Sequence, residues 1–138
     1  MTLSSESDPS QSVADTSADV LDSSALDKLR QLDPTGRAGI LQRVLTTYEG
    51  SLGKLMAQFA AAREASDVAG LRHVAHTLRS SSASVGAMAL AARCAEVEGL
   101  IREGNTATMD PALDALAAEG LRAASAVRAM LVARGTVA

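Results

Sequence analysis

The sequence has almost no aromatic residues: it contains one Phe, one Tyr and no Trp among 138 residues. Single-stranded nucleic acids bind on aromatic stacking platforms, and nucleic-acid binders in general carry a basic patch. The net charge here is −3 at pH 7 and no basic patch is visible, so we expect no nucleic-acid binding. Few aromatic or β-branched residues also disfavour β-sheets, whereas the abundant Ala and Leu favour helices. The composition therefore predicts an all-α fold.

Cysteine, signal sequences and long apolar runs are equally scarce. The single cysteine, Cys94, excludes an internal disulfide and a cysteine-based zinc site, which fits a reducing compartment. Residues 1–20 lack the apolar region of a signal peptide, and no apolar run approaches the ~18 residues needed to span a membrane. These absences predict a cytoplasmic protein with no direct membrane contact.

Apolar periodicity divides the chain into a polar start and a helical remainder. Residues 1–21 have little to bury and predict a disordered tail or linker, and residues 22–138 predict one domain. The first helix is short, carries Leu26 and either Leu29 or Leu32 inward, and ends at Asp33-Pro34. The expected helices lie at about residues 22–32, 35–64, 68–84, 87–103 and 110–134.

Four of these helices are long, amphipathic and joined by short loops. This pattern predicts an antiparallel up-down-up-down four-helix bundle, with the short first helix as a lid. Since every apolar stripe finds a partner within one bundle, we expect a monomer. Gly50 and Gly53 lie inside the second helix, where they either permit close approach of another helix or mark a bend. Gly86 ends the third helix.

Both histidines of the chain, His73 and His76, fall in the third predicted helix. On a helical wheel, His76 points about 140° away from the centre of the apolar side, and His73 lies farther round. Both are therefore expected to be exposed, which argues against a hydrogen-bonded core histidine. The residues expected to face the core are Leu71, Val74, Ala75, Leu78, Ser82 and Val85.

His76 shares its helix face with cations and small side chains, namely Arg72, Arg79, Ser80 and Ala83. An imidazole is nucleophilic near neutral pH and can carry a covalent intermediate. Guanidinium groups suit phosphate because they donate paired hydrogen bonds. A phosphoryl group on His76 would therefore find cations within reach and space around it. The alternative is a plain surface histidine.

The fourth predicted helix offers a second wall for this site. Next to its core stripe, Ala91, Ala95, Glu98 and Arg102 recur at helical spacing and would face the groove beside the third helix. There Glu98 would hydrogen-bond the non-reacting nitrogen of His76 and fix its tautomer, and Arg102 would add another cation. The alternative is that both belong to a solvated charged face.

These residues resemble the histidine-containing phosphotransfer family, the HPt domains of phosphorelays. The family pattern is roughly Ala-His-x-Leu-Lys-Gly-Ser-Ser-Ala-x-x-Gly-Ala, followed by Leu, Cys and a final Glu or Gln. The stretch from Ala75 to Ala87 follows it in register, and Leu90, Cys94 and Glu98 continue it without a gap. The resemblance covers the C-terminal part of the third helix and most of the fourth.

The resemblance implies that His76, and not His73, accepts the phosphoryl group. It places Arg79 where the family has lysine, Ser80 where it has glycine, and Glu98 where a Glu or Gln contacts the histidine. Arg102 falls where some members carry a basic residue. The family's role implies a carrier without ATP-binding motifs, cofactor or metal of its own. Its partners are receiver domains of response regulators or hybrid sensor kinases, which bring the Mg²⁺.

Three other interpretations compete with this one. A histidine-kinase dimerisation domain would normally place an acidic residue after the histidine and a proline soon after, whereas Thr77 follows here and no proline occurs between residues 35 and 110. A non-catalytic helical adaptor with an HPt-like fold would leave His76 without chemistry. Metal binding by His73 and His76 lacks an evident third ligand, since Asp67 and Glu64 lie a turn or more away.

Overall fold

The computed structural model of the protein describes residues 20–36 and 39–133. The helices are α1 (Ser23–Gln31), α2 (Ile40–Glu64), α3 (Val68–Ser84), α4 (Met88–Arg102) and α5 (Asp110–Ala133), with a 3₁₀ turn at Thr106–Thr108. Helix α2 packs against α3 and α5, and α4 packs against the same two helices, so that the four close into a bundle. Helix α1 lies against α2. The predicted all-α four-helix bundle with a short extra N-terminal helix is therefore confirmed.

Three ion pairs show that α2 and α5 run in opposite directions. Arg63, near the end of α2, pairs with Asp114 at 2.8 Å and with Asp110 at 3.5 Å, both in the first turns of α5. Arg128, near the end of α5, lies 3.3 Å from the carboxylate of Glu49 in the first half of α2. Exposed pairs of this kind contribute little to stability, but here they mark an antiparallel arrangement.

The core is aliphatic and continuous, as the composition requires. All six residues expected to face inward on α3 are buried, with exposed fractions of 2% or less. Leu90, Cys94 and Val97 bring the matching stripe of α4 against them. The helical wheel of α3 therefore identified its buried side correctly. Because that side packs in the core, the opposite side of α3 faces outward. No helix in the described part of the chain is long and apolar enough to cross a membrane.

One buried hydrogen bond ties α2 to α3. The hydroxyl groups of Tyr48 and Ser82 lie 2.8 Å apart, and both residues are buried. Burial raises the pKa of the Tyr48 phenol, which therefore stays protonated and able to donate. A buried hydroxyl without a partner costs about 1–3 kcal/mol, so this pair fixes which turns of the two helices meet.

The packed unit begins earlier than the sequence predicted. Val20 and Leu21, which we assigned to the tail, are 5% and 2% exposed and belong to the core. The tail prediction otherwise falls on residues 1–19, outside the described residues. Of the first helix, Leu26 is buried and Leu29 packs partly against the core. Leu32 is 68% exposed, because α1 ends one residue before it.

Helix α2 begins at Ile40 and not at Thr35, so the predicted start was five residues too early. Gly36 and Gly39 both adopt positive φ, at +74° and +66°, and such left-handed backbone cannot continue a right-handed helix. The carboxylate of Asp33 accepts a hydrogen bond from the backbone N–H of Ile40 at 3.2 Å. This contact satisfies one of the donors that a helix start leaves without a partner.

Gly50 and Gly53 do not mark a close helix approach. A Cβ added at either position would meet no atom within 4 Å, and both residues are exposed on α2. We expect Gly53→Ala to raise the free energy of unfolding by up to about 1 kcal/mol, because Ala lowers the entropy of the unfolded chain without steric conflict. Urea denaturation of the purified variant measures this.

The control for this substitution is Gly120→Ala on α5, also inside a helix. There a Cβ would lie 2.8 Å from the Sδ and Cε atoms of Met56 in the buried interface with α2. The end of the flexible Met56 side chain would have to move, so the gain in stability should be smaller than at Gly53. Equal stabilisation by both substitutions would contradict the difference in packing.

Candidate functional site

His76 lies on the outer side of α3, opposite the residues that fasten this helix to the bundle. The helix begins with Asp67, whose side chain accepts a hydrogen bond from the N–H of Gly70 at 3.0 Å. Two turns later, inward Ala75 and Leu78 are fully buried, and the His76 side chain between them is 65% exposed. Exposure leaves the ring open to a second macromolecule.

Glu98 on α4 holds one edge of the His76 ring. Its Oε2 lies 3.0 Å from Nδ1 of His76, and the Glu98 side chain is only 14% exposed. A carboxylate accepts hydrogen bonds, so the neutral ring carries its proton on Nδ1 and its lone pair on Nε2. Nδ1 and Nε2 point in nearly opposite directions, and Nε2 therefore faces away from α4. The contact between Glu98 and His76 that the sequence suggested is present.

Arg79 also binds Glu98, which the sequence did not indicate. Its Nε donates a hydrogen bond to Oε1 at 2.5 Å, so each oxygen of the carboxylate has its own partner. His76 and Arg79 are three residues apart on α3, one turn along the same face, and Glu98 bridges them from α4. Three side chains from two helices are thus linked by hydrogen bonds through Glu98.

A shallow depression of about 320 Å³ adjoins His76 on the side of the earlier turns of α3. It is lined by Ala69, Arg72, His73 and His76, which follow the helical spacing of three and four residues. Arg72 is exposed and faces this space, as the sequence suggested for a cation near the phosphoryl group. His73, which the resemblance excludes as the phosphoryl acceptor, forms part of the same wall.

Arg102 does not line this depression, although it stands one turn beyond Glu98 on α4. Because α3 and α4 are antiparallel, the turn after Glu98 lies level with the turn before His76. Arg102 and Arg72 are therefore at the same height along the two helices, both exposed. Helix geometry therefore puts Arg102 near the rim of the site, outside the residues that line the depression.

Ser80 stands one turn after His76 and is exposed, with Ala83 and Ala95 as exposed small neighbours on the two helices. Its backbone carbonyl accepts a hydrogen bond from the Ser84 hydroxyl at 3.1 Å. Because these side chains are small, they leave this side of the imidazole ring sterically accessible. The site is thus cationic toward the start of α3 and sterically open toward its end.

Cys94 lies beneath the site, fully buried between α3 and the rest of the bundle. Burial, together with the nearby charge of Glu98, raises the pKa of its thiol to about 12. A thiol in that state is a small apolar packing group, not a nucleophile. Across residues 20–36 and 39–133, no three His, Cys, Asp or Glu side chains converge as a metal site would require.

For the phosphoryl transfer to His76 that the sequence resemblance implies, we expect Glu98→Ala to slow the reaction by about 10- to 100-fold, because the ring would lose the group that fixes its tautomer and orientation. Initial rates of labelling from a phosphorylated receiver domain measure this. The matched variant is Glu98→Gln, whose amide oxygen still accepts from Nδ1 and should keep most of the rate. A Glu98→Ala rate within twofold of the unmodified chain would contradict an orienting role for Glu98.

Comparisons with known proteins agree with this architecture. The sequence profile of the Hpt domain matches residues 43–131, which is more than half of the chain. Among solved structures, the chain is similar to the crystal structure of histidine-containing phosphotransfer protein B (HptB) from Pseudomonas aeruginosa PAO1. The two share 27% sequence identity at a TM-score of 0.69, over 85% of this chain and 95% of that one. No curated protein sequence matches significantly.

An exposed imidazole, held by a carboxylate on the outside of a four-helix bundle, is the arrangement of a phosphoryl carrier. The chain belongs to the Hpt domain family. Members of this family are phosphotransfer carriers and not kinases, and they interact with receiver domains. The role of the chain is accordingly histidine phosphotransfer in a phosphorelay.

Proposed function

We propose that Nε2 of His76 accepts a phosphoryl group from the phosphoaspartate of one receiver domain and passes it to the aspartate of another. The observation that supports this most is the hydrogen bond between Nδ1 and Glu98, which leaves the lone pair on the outward nitrogen. A neutral imidazole with a free, exposed nitrogen can attack phosphorus without first losing a proton.

The transfer step balances with the groups present. The Nε2 lone pair forms the N–P bond while the P–O bond to the receiver's aspartate breaks, and the electron pair of that bond leaves on the carboxylate oxygen. The imidazole ring becomes positively charged and keeps its proton on Nδ1. Glu98 then accepts a charge-assisted hydrogen bond from this proton, which strengthens as the charge develops. The reverse step returns the phosphoryl group to an aspartate.

The surroundings of His76 suit an anionic group that arrives from a partner. Arg72 faces the adjoining depression, and helix geometry puts the exposed Arg102 on α4 level with it. The Ser80 hydroxyl, one turn after His76, can donate to a phosphoryl oxygen. The Mg²⁺ that neutralises most of the charge in phosphoryl transfer would be held by the receiver, which leaves positioning as the main contribution of this chain.

The test is direct transfer of a labelled phosphoryl group. Receiver domains encoded in the same genome would be phosphorylated with a small phosphodonor and Mg²⁺, freed of excess donor and mixed with the purified chain. We expect at least one receiver to lose label as the chain gains it, in a linkage that is labile in acid and stable in alkali. No label on the chain from any receiver would favour a non-catalytic helical adaptor.

A further inference from the structure

We propose that Arg79 is a positioning residue that acts on His76 through Glu98, and does not itself bind the phosphoryl group. This inference rests on the proposed phosphotransfer function and assigns Arg79 a place in the same site. The sequence pattern favoured a direct role, since Arg79 lies one turn from His76 on the same face. The contacts of its guanidinium group indicate an indirect one.

The first argument is the direction of Arg79. Its Nε, the nitrogen closest to the helix, donates to Oε1 of Glu98, so the side chain is directed across the groove to α4. Nδ1 of His76 points to the same carboxylate, and Nε2 points away from it. The cation therefore lies on the holding side of the imidazole and not on its reacting side.

The second argument is the freedom of Glu98 without this partner. A glutamate side chain has several rotatable bonds, and a hydrogen bond through one oxygen alone leaves the carboxylate free to turn about it. When Arg79 donates to Oε1, both carboxylate oxygens have a hydrogen-bond partner, and Oε2 stays directed at Nδ1 of His76. Because Glu98 is only 14% exposed, water competes weakly for either oxygen.

The third argument is charge. A carboxylate 3.0 Å from the imidazole would repel an incoming phosphoryl group if its charge were uncompensated. The guanidinium group of Arg79 compensates the negative charge of the Glu98 carboxylate. The three side chains together are close to neutral before transfer, and one positive charge appears on the ring when the N–P bond forms. Removal of Arg79 should then matter only while residue 98 carries a carboxylate.

A double-mutant cycle tests this directly. We expect Arg79→Gln to slow transfer from a phosphorylated receiver by about three- to tenfold, because the ring is less well oriented. In a Glu98→Ala background, the same change should alter the rate by less than about 1.5-fold, since the path from Arg79 to His76 is already broken. An equal loss in both backgrounds would overturn the proposal and indicate direct contact with the phosphoryl group.

The tautomer of His76 provides a second readout that needs no partner and no transfer. Nitrogen-15 NMR of the ring distinguishes a protonated Nδ1 from a protonated Nε2. We expect the Nδ1–H form to dominate in the unmodified chain and to lose population in Arg79→Gln. An unchanged tautomer ratio in Arg79→Gln would overturn the proposal even if transfer were slower.

Arg93→Gln on α4 is the matched control. Arg93 is 46% exposed, against 44% for Arg79, and it too pairs with a glutamate, Glu96, at 3.3 Å. It lies about 140° around α4 from Glu98, so its loss should change neither the rate nor the tautomer. If the unmodified chain acquires no label, the proposed phosphotransfer function is refuted. The role of Arg79 in positioning His76 is then still decided by the tautomer comparison, which needs no transfer.

Discussion

Replacement of His76 by glutamine should abolish phosphoryl acceptance while the bundle stays folded. Glutamine keeps the approximate size and polarity of the side chain but has no nucleophilic ring nitrogen, so the rate should fall by at least about 10³-fold. His76 contributes little packing, because its side chain is 65% exposed. The free energy of unfolding should therefore change by no more than about 0.5 kcal/mol. Labelling from a phosphorylated receiver and circular dichroism measure the two effects.

His73→Gln is the control for this experiment. His73 lies one turn earlier on the same helix, is exposed and lines the same depression, but the carboxylate of Glu98 contacts His76 and not His73. Phosphoryl acceptance should persist in this variant. Loss of labelling in His73→Gln with retention in His76→Gln would exchange the roles of the two histidines. An unfolded His76→Gln chain would contradict the exposed position of His76.

The second large effect is expected at Gly86, in the loop between α3 and α4. Its backbone has φ of +83°, and its carbonyl accepts a hydrogen bond from the N–H of Asp22 at 2.7 Å. A Cβ at this position would lie 2.7 Å from both the backbone N and the backbone O of Asp22. Gly86→Ala should therefore destabilise the fold by about 2–4 kcal/mol, through backbone strain, steric conflict and a lost hydrogen bond.

Gly104→Ala separates these contributions. Gly104 has a similar φ of +77°, but a Cβ there would meet nothing within 4 Å. Its replacement should cost only the conformational strain, about 1–2 kcal/mol. Urea denaturation of both variants gives the difference, which measures how much the close approach of Asp22 contributes. Equal losses at the two positions would show that this contact adds no stability.

Gly86 has one property that the sequence predicts and one that it does not. The interpretation of Gly86 as a helix breaker used only its neighbours in the chain, and α3 does end just before it. Its second property, that any side chain would collide with Asp22, depends on a segment more than sixty residues earlier. No local pattern reports such a contact, since it exists only after the N-terminal segment has packed onto the bundle.

In the candidate site, too, some features could be predicted from the sequence and others could not. Helical periodicity correctly put His76 on the outer side of α3, and the spacing on α4 placed Glu98 toward it. It did not reveal that Arg79 shares the carboxylate of Glu98. That contact depends on side-chain directions across an interhelical groove, which a helical wheel of one helix does not contain. His73 lines the depression beside His76, as its spacing from Ala69, Arg72 and His76 along one helix face implies.

The start of α2 was misplaced for a related reason. Periodicity continued acceptably back to Thr35, but the left-handed backbone at Gly36 and Gly39 delays the helix to Ile40, and Asp33 closes its first turn. Val20 and Leu21 were assigned to a tail because two apolar residues beside a polar segment carry no periodic signal. They are buried only because the bundle offers them a surface.

The sequence by itself determined the all-α class and the inner and outer sides of α3 and α4. These properties follow from residue spacing along single helices, where each turn repeats every 3.6 residues whatever surrounds it. Only the tertiary structure decided that Tyr48 meets Ser82, that Asp22 lies against Gly86 and that Arg79 holds Glu98. Each of these contacts joins two segments, and their relative height and rotation are set by the packing of the whole core.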